Sequence, residues 1–479
     1  MKTELRIFNT MSRAYEYFET ITPGLVRMYV CGPTVYDSAH LGHARTYVAF
    51  DAIARFLEYL GYTVVYVRNI TDVGHLRDDS GVDRIIHGAE REKKHPMEVA
   101  DKYMMEFFKD MDLLGTRRPN IQPRASMHIP EIIESISKLM EKGFAYRVDG
   151  SVYFDVTKFT DYGRLSGVKV SALDKHRLEP DPRKKNPADF ALWKEAPPEY
   201  PLTWRSPWGL GFPGWHIECS IMSMKYLGER IDIHGGGHDL VFPHHENEIA
   251  QSESLSGKKP FVRFWLHTGE LTVNGQGMHK SLGNYITVRD ALKRYSPDTI
   301  RLFIISSHYR SSIDFNETAM LQAEENLGKI TSLLDSLSAM GEGAEDAGED
   351  GLFNALQSHL KAFVEAMSYD FNTPQALAEI YAAVNTVNSH IMRRGAVSTP
   401  SKVASVILEM CNSLGLLRGY KPRRLPSEAE KMLTILLEIR RELRRRGDYA
   451  LADKIRTMLG ELGVTVEDTR GGERVRISL

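Results

Sequence analysis

The chain is poor in cysteine, in net charge and in long apolar runs, and each shortage excludes something. Three cysteines in 479 residues, far apart and odd in number, rule out a disulfide framework. They point to a reducing compartment, where a thiol serves as a free group or a metal ligand. No apolar run approaches the roughly 20 residues of a membrane helix, and Met1 to Arg6 lacks the apolar core of a signal peptide. The expectation is a cytoplasmic protein with no membrane partner. A net charge of −2 gives no global sign of nucleic-acid binding. Only from Arg418 onward is there an excess of about five positive charges, clustered at Arg440, Arg441, Arg444, Arg445 and Arg446, and such a run is more often a solvated helix face. No Gly-x-Ser-x-Gly nucleophile turn exists, which excludes the lipase-type hydrolases although His234-Gly235-Gly236-Gly237 looks like their oxyanion loop.

What is present is organised around Tyr29-Val30-Cys31-Gly32-Pro33-Thr34-Val35-Tyr36-Asp37-Ser38-Ala39-His40-Leu41-Gly42-His43. Leu25 to Val30 reads as a short apolar strand. Ala44, Tyr47, Val48, Phe50, Ile53, Phe56, Leu57 and Leu60 then recur at helical spacing until Gly61. A second strand, Thr63 to Val67, makes this a right-handed crossover unit of a parallel α/β sheet, with ligands expected at the carboxyl ends of the strands. His40 and His43 fall at the helix start, where unpaired N–H groups and the helix dipole favour an anion, and Gly42 leaves the backbone open between them. The alternatives are two surface histidines, or a metal site shared with Cys31. Thr71 and Asp72 end the second strand at the same sheet edge.

From Arg117 to Arg205 the character changes. A helix over Ile129 to Lys142, a hairpin at Asp149-Gly150 and a polar stretch from Asp174 to Ala188 read as an insertion. Gly209-Leu210-Gly211-Phe212-Pro213-Gly214 matches the dinucleotide fingerprint formally, but Pro201 to Trp208 does not read as a strand and Pro213 disrupts the turn, so the match is rejected. A helix from Trp215 to Tyr226 carries Cys219. Ile231-Asp232-Ile233 is a short strand entering a loop, His234-Gly235-Gly236-Gly237-His238-Asp239, with its middle stripped of side chains so that backbone can lie against a planar ligand. Pro243 opens a helix on which His244 and Glu248, four apart, share a face. With Cys31 and Cys219 they complete a four-ligand set, provided the second sheet half packs beside the first.

Lys280, in the Gly-rich stretch Asn274 to Asn284, is placed to close over a triphosphate; the plain alternative is an exposed turn. Gly341 to Gly351 is an acidic linker. Thr373-Pro374 caps a helix whose apolar face runs from Ala376 to Val387, and Cys411 reads as a buried core thiol. The last segment has helices to Arg446 and over Tyr449 to Leu462, then strands at Val464 to Val466 and Arg474 to Ile477.

Together, Tyr29 to Asp37, His40-x-Gly42-His43, Gly214-Trp215-His216-Ile217-Glu218-Cys219-Ser220, His234-Gly-Gly-Gly, Phe242 to Glu248 and Lys280-Ser281-Leu282-Gly283-Asn284 closely resemble the cysteinyl-tRNA synthetase family, over nearly the whole chain. The resemblance implies a class I α/β architecture: a Rossmann-type parallel-sheet catalytic domain split by a connective insertion, then a helical bundle and a small α+β C-terminal domain. The corresponding division is 1–116 and 206–270 for the catalytic halves, 117–205 for the insertion, 271–339 for the Lys280 loop and stem contact, 340–351 for the linker, 352–425 for the bundle and 426–479 for the anticodon-binding end. It implies one zinc ion on Cys31, Cys219, His244 and Glu248 that takes the substrate sulfur; Thr71 and Trp215 as walls of the amino-acid pocket; and His40, Gly42 and His43 on the ATP phosphates. It further implies His234, Gly235, Gly236 and Asp239 against adenosine and Lys280 on the pyrophosphate. Arg444, Tyr449, Asp453 and Asp468 match the anticodon-side positions. Cysteine, ATP with Mg2+ and cysteine tRNA are the implied partners, and a monomer the expected state.

One departure stands out. The usual Lys-Met-Ser-Lys-Ser loop reads Gly277-Met278-His279-Lys280-Ser281 here. There are two rival readings. A small-molecule cysteine ligase would share the catalytic half yet lack the C-terminal end that this chain has. A catalytically silent paralogue would not be expected to keep Lys280, both histidines and all four ligand positions.

Overall fold

The computed structural model describes residues 4–74, 83–169, 181–278, 282–343, 349–422, 427–469 and 472–477. The chain forms two compact units, one of residues 1–323, 364–376 and 413–416, the other of 324–363, 377–412 and 417–479.

The first unit is built on four parallel strands. Strand β1 (Leu25–Val30), helix α1 (Leu41–Tyr59) and strand β2 (Thr63–Arg68) form one crossover. Helix α2 (Trp215–Leu227), strand β3 (Ile231–Gly237), helix α3 (Glu246–Ser256) and strand β4 (Val262–Thr268) return to the same sheet. The order is β4-β3-β1-β2, with every neighbouring pair parallel. The chain therefore leaves β1 to one side for β2 and comes back on the other side for β3, which creates a topological switch point at the carboxyl ends of β1 and β3. Cys31 leaves β1 at that point, and its N–H donates to the Gly235 carbonyl at 3.0 Å.

These elements arise from their side chains. Val26, Met28, Tyr29 and Val30 are fully buried, the near-continuous apolar reading of a strand covered on both faces. Helix α1 buries Leu41, Ala44, Val48, Phe50, Phe56 and Leu57; each large side chain so covered contributes about 1.5–3 kcal/mol. Gly61, at φ +91°, stops the run by a conformation that a side chain would strain. Two buried arginines tie α1 to segments beyond the sheet. Arg45 donates to the carbonyls of Ile304, His308, Tyr309 and Ser311, and Arg301 meets Asp51 at 2.7 Å with both side chains 1% exposed.

Four expectations need correction. The His-Gly-Gly-Gly run is not a loop: it is the second half of β3, paired with β4 from His234↔Trp265 to Gly237↔Thr268. Its glycines are required by packing. A Cβ at Gly235 would stand 2.0 Å from the Phe50 ring, at Gly236 2.7 Å from the Leu240 side chain and at Gly237 2.2 Å from the Asp239 carboxylate. Within 201–208, Trp204–Ser206 does form a short strand, antiparallel to Gly209–Pro213. Both belong to a five-stranded sheet with Ala145–Val148, Ser151–Phe154 and Phe190–Glu195, antiparallel throughout, so the fingerprint match lies in a hairpin and not at a parallel strand end. The cap of helix Thr373–Arg394 is Asn372, whose side chain accepts from the Gln375 N–H at 3.2 Å. Finally, the acidic linker is shorter than expected: helix Asp350–Ser368 begins inside it, and Glu349 is buried and accepts from the Ser398 N–H at 2.7 Å.

In the second unit, helices Ser427–Arg445 and Tyr449–Glu461 precede a hairpin of Val464–Thr469 with Gly472–Ile477. Among the described residues this C-terminal segment packs Leu437, Leu459, Val464 and Val466, with Leu433 and Ile455 against them. Cys411 is fully buried, as a core thiol should be.

Candidate functional site

The switch point gathers side chains from four elements. Cys31 is held by backbone on three sides: its N–H donates to β3, Tyr47 Oη donates to its carbonyl at 3.2 Å, and the next N–H, of Gly32, donates to Asn69 Oδ1 at 2.8 Å. A Cβ at Gly32 would fall 1.6 Å from the Asn69 carbonyl oxygen, so only glycine allows this approach. Cys219 comes from α2, His244 from the irregular turn Val241–His245, and Glu248 from α3. The ligand atoms of these four residues lie within 4.8 Å of one another, and all four residues are buried. His244 Nε2 is 3.1 Å from Glu248 Oε1 without making a hydrogen bond, and Cys31 Sγ is 3.7 Å from the same oxygen.

The charges in this cluster call for a cation at its centre. Burial alone would raise Cys219 and Glu248 and lower His244. Against burial, the Cys31 hydrogen bond and His244 hold the Cys219 thiol down to about 6, and the Cys219 thiolate and Glu248 lift His244 to about 10. His234 and His244 hold the Glu248 carboxyl down to about 2. Cys31 shifts the other way, pushed well above the thiol range by burial and by Cys219. Two sulfurs, an imidazole and a carboxylate so gathered are a tetrahedral zinc donor set. A second group, Cys31, His234, His245 and Glu248, is equally close among the described residues. The first is preferred on chemistry, because it holds both thiols and because His244 Nε2 has no other hydrogen-bond partner.

His234 and His245 instead support the ligands, a role the sequence reading missed. His234 Nε2 hydrogen-bonds Glu248 Oε2 at 2.8 Å, with its ring stacked on Trp265 at 4.5 Å. His245 Nε2 lies 3.3 Å from Cys31 Sγ, while its Nδ1 meets His267 Nε2 at 2.8 Å, and His267 in turn meets Thr10. His216 pairs with His244 through their Nδ1 atoms at 2.9 Å. Such partners fix the tautomer and orientation of metal ligands. The His234 side chain is fully buried and turned to Glu248; the expectation for adenosine concerns the backbone of this run, which that contact leaves untouched. On their Cβ side Gly235 and Gly236 are filled by Phe50, Leu240 and His245, and the Asp239 side chain is exposed. The doublet His244-His245 was the available signal for the support role.

Beside the cluster stands the turn that opens α1. His40 is its N-cap, with Nδ1 accepting from the Gly42 N–H at 3.0 Å, and His43 Nδ1 accepts from the His40 N–H at 3.3 Å. A Cβ at Gly42 would meet the His40 ring at 2.8 Å. Because both Nδ1 atoms accept, each neutral ring carries its proton on Nε2, directed away from the helix backbone. Burial lowers His40 to about 4 and, with His40 alongside, takes His43 well below its usual value. At neutral pH the pair offers hydrogen-bond donors without positive charge.

The flanks of the Lys280 loop reach this turn: Leu41 N–H donates to the Ile286 carbonyl, Val288 N–H to that of Ala39, and Asn284 Nδ2 to that of Gly277. Lys280 itself, with His279 and Ser281, lies outside the described residues. Thr71 is buried next to the Cys31 loop, with its N–H donating to Pro33 and its hydroxyl accepting from Asn69 Nδ2. Trp215 is half-buried, its ring 4.2 Å from that of His244. In the second unit, Asp468 is held by the fully buried Arg440 at 2.9 and 2.8 Å and by Arg444 at 3.1 Å. Arg444 stands 5.7 Å from the centre of the Tyr449 ring, and Asp453 pairs with Arg456 at 3.2 Å.

The comparisons with known proteins agree with this geometry. Residues 17–325 match the family model described as tRNA synthetases class I (C) catalytic domain, and residues 362–418 match the DALR domain. Cysteine–tRNA ligase of Thermococcus onnurineus (strain NA1) is 45% identical over 476 residues, 98% of each chain. The chain belongs to the cysteine–tRNA ligase family. Another member, from Pyrococcus horikoshii, is 46% identical over 479 residues, again 98% of each chain. Among solved structures, Mycobacterium tuberculosis methionyl-tRNA synthetase in complex with methionyl-adenylate superposes with a TM-score of 0.60 at 15% identity, covering 86% of this chain and 94% of that one. At that identity the likeness carries the fold, which is the class I α/β architecture. No helix among the described residues is long and apolar enough to cross a membrane.

Proposed function

We propose that the protein joins L-cysteine to the 3′ end of cysteine tRNA at the expense of ATP. The observation that carries this reading is the adjacency, at one switch point, of a thiol-rich cation site and a helix N-terminus bearing two neutral imidazole donors. A zinc ion on Cys31, Cys219, His244 and Glu248 would supply affinity for the substrate sulfur, which serine and alanine lack. Thr71 and Trp215 wall the amino acid. The cysteine carboxylate attacks the α-phosphorus of ATP, forming the acyl–phosphate bond as the bond to pyrophosphate breaks. The Nε2–H groups of His40 and His43 and the first turn of α1 donate to the phosphate oxygens as charge shifts onto them. Lys280 holds the departing pyrophosphate, Mg2+ accompanies ATP, and the backbone of His234 to Gly236 with Asp239 lies against adenosine. In the second step the terminal ribose hydroxyl of the tRNA attacks the acyl carbon and AMP leaves.

Arg444 and Tyr449 are suited to the anticodon: an exposed ring for stacking, with a guanidinium over it. Asp468, held by Arg440 and Arg444, and the exposed Asp453 stand with them as the anticodon-side carboxylates. Our reading retains the domain division given by the family resemblance, a monomer, and the reducing cytoplasm that suits three free thiols. The test is transfer of labelled cysteine to total tRNA with ATP, serine as control. Charging with cysteine alone is expected; pyrophosphate exchange without charging would favour the small-molecule ligase.

A further inference from the structure

Glu218 belongs neither to the four-donor set nor to the histidine turn. It lies in the first turn of α2, three residues after Trp215 and next to Cys219. Residues three and four apart on a helix share a face, so Glu218 and Cys219 flank the side of α2 that Trp215 marks. The side chain is fully buried, and the Thr71 hydroxyl is the one donor beside it, short of full hydrogen-bond geometry with either carboxylate oxygen. Its polar neighbours are Thr71, Asp72 and Asp83, and Oε1 lies 2.9 Å from where a Cβ on Gly74 would stand.

The two other carboxylates there are satisfied. Asp72 accepts from Arg124 Nε and from Ser126 N–H and Oγ; Asp83 caps the helix Arg84–Glu92 and accepts from Tyr200 Oη. Glu218 has only the Thr71 hydroxyl, with no arginine, tyrosine or backbone N–H bonded to it. A buried carboxylate so short of donors is costly, and among buried polar groups it is the kind that calls for a ligand. A compact cation with several N–H donors, reaching the Thr71 side of the helix turn that Trp215 opens, would satisfy it.

We propose that Glu218 anchors the α-ammonium group of the amino-acid substrate, receiving charge-assisted hydrogen bonds while the four-donor site takes the sulfur. This rests on the proposed amino-acid pocket walled by Thr71 and Trp215. Cysteine's sulfur and nitrogen are separated by only two carbons, so the groups that take them must be close, and consecutive residues of one helix meet that condition. Recognition is then two-pointed: a thiol without an ammonium group is rejected at Glu218, and an amino acid without a thiol at the metal.

The experiment compares binding of L-cysteine and of 3-mercaptopropanoate, the same molecule without its amino group, to zinc-loaded wild type and to Glu218→Gln. Zinc content and thermal melting are read on each protein. Wild type should prefer L-cysteine, and Glu218→Gln should weaken L-cysteine by about 30-fold while leaving 3-mercaptopropanoate unchanged, so that the preference collapses. In pyrophosphate exchange the loss should fall on KM for cysteine and not on kcat. If both thiols weaken equally, or if the preference is retained, the proposal is overturned. Should Glu218→Gln fail to fold, Glu218→Asp serves the same comparison, with a reduced preference expected and an unchanged one contradicting it. A wild type that binds no cysteine would instead refute the pocket itself.

Discussion

The two ends of the molecule treat their functional side chains in opposite ways. At the switch point Cys31, Cys219, His244 and Glu248 are all buried, and His234, His245 and His216 hold them in turn. At the C-terminal end Tyr449 is 58% exposed and Asp468 is fixed to a buried arginine over a core of a few side chains. A pocket that must tell a thiol from a hydroxyl needs rigid donors in a dry place, where an ill-placed group is costly. A surface that meets a large polyanion can rely on exposed rings and charges whose single contributions are modest.

That contrast can be broken at its rigid end first. Cys219→Ser should abolish stoichiometric zinc and lower cysteine-dependent pyrophosphate exchange by on the order of 1,000-fold, about 4 kcal/mol of barrier, as read by metal analysis and exchange rate. Retained exchange would remove Cys219 from the site. His234→Ala touches no substrate in our reading but frees Glu248; zinc affinity should fall by about 10- to 100-fold in chelator competition, with tRNA binding unchanged. At the exposed end, Tyr449→Ala should reduce charging by roughly 10-fold through lost stacking and leave pyrophosphate exchange intact. An equal loss in both assays would mean that the two ends are not separable.

The smallest effect is on stability. The folded-state value of His40 is depressed from 6.5 to about 4 by burial, so its contribution is fully present above pH 6.5 and is lost as pH falls from there to about 4, where the unfolded chain binds the extra proton. His40→Gln should therefore show a shallower decline of unfolding free energy over that window than wild type. Parallel curves would mean that the His40 ring is freely protonated in the fold.

Legibility divides the same way. The parallel sheet and the His244–Glu248 pair could be read from the sequence because each rests on local spacing: Leu25 to Val30 as an apolar strand, Gly61 as a stop, His244 and Glu248 one turn apart; Cys31 and Cys219 join the pair only once the two sheet halves pack together. The support of those donors could not. His245 reaches Cys31 only because β3 pairs with β1, and His234 reaches Glu248 only through the way the following helix folds back on β3; the linear chain prints neither. The glycines of β3 mislead for a related reason. Stripped of side chains they suggest an open loop, whereas the space is filled by Phe50 from α1 and by Leu240, His245 and Asp239. The pairing of Asp468 with Arg440 is not legible either, because it joins residues 28 apart in sequence.

The central claim is that a metal held by the buried donors selects the substrate sulfur where activation occurs. Pyrophosphate exchange should be measured with cysteine and with serine, on the protein as purified, after chelation and after zinc is restored. The account predicts exchange with cysteine only, lost on chelation and recovered with zinc. Exchange that survives chelation, or that serine supports as well as cysteine, would contradict it.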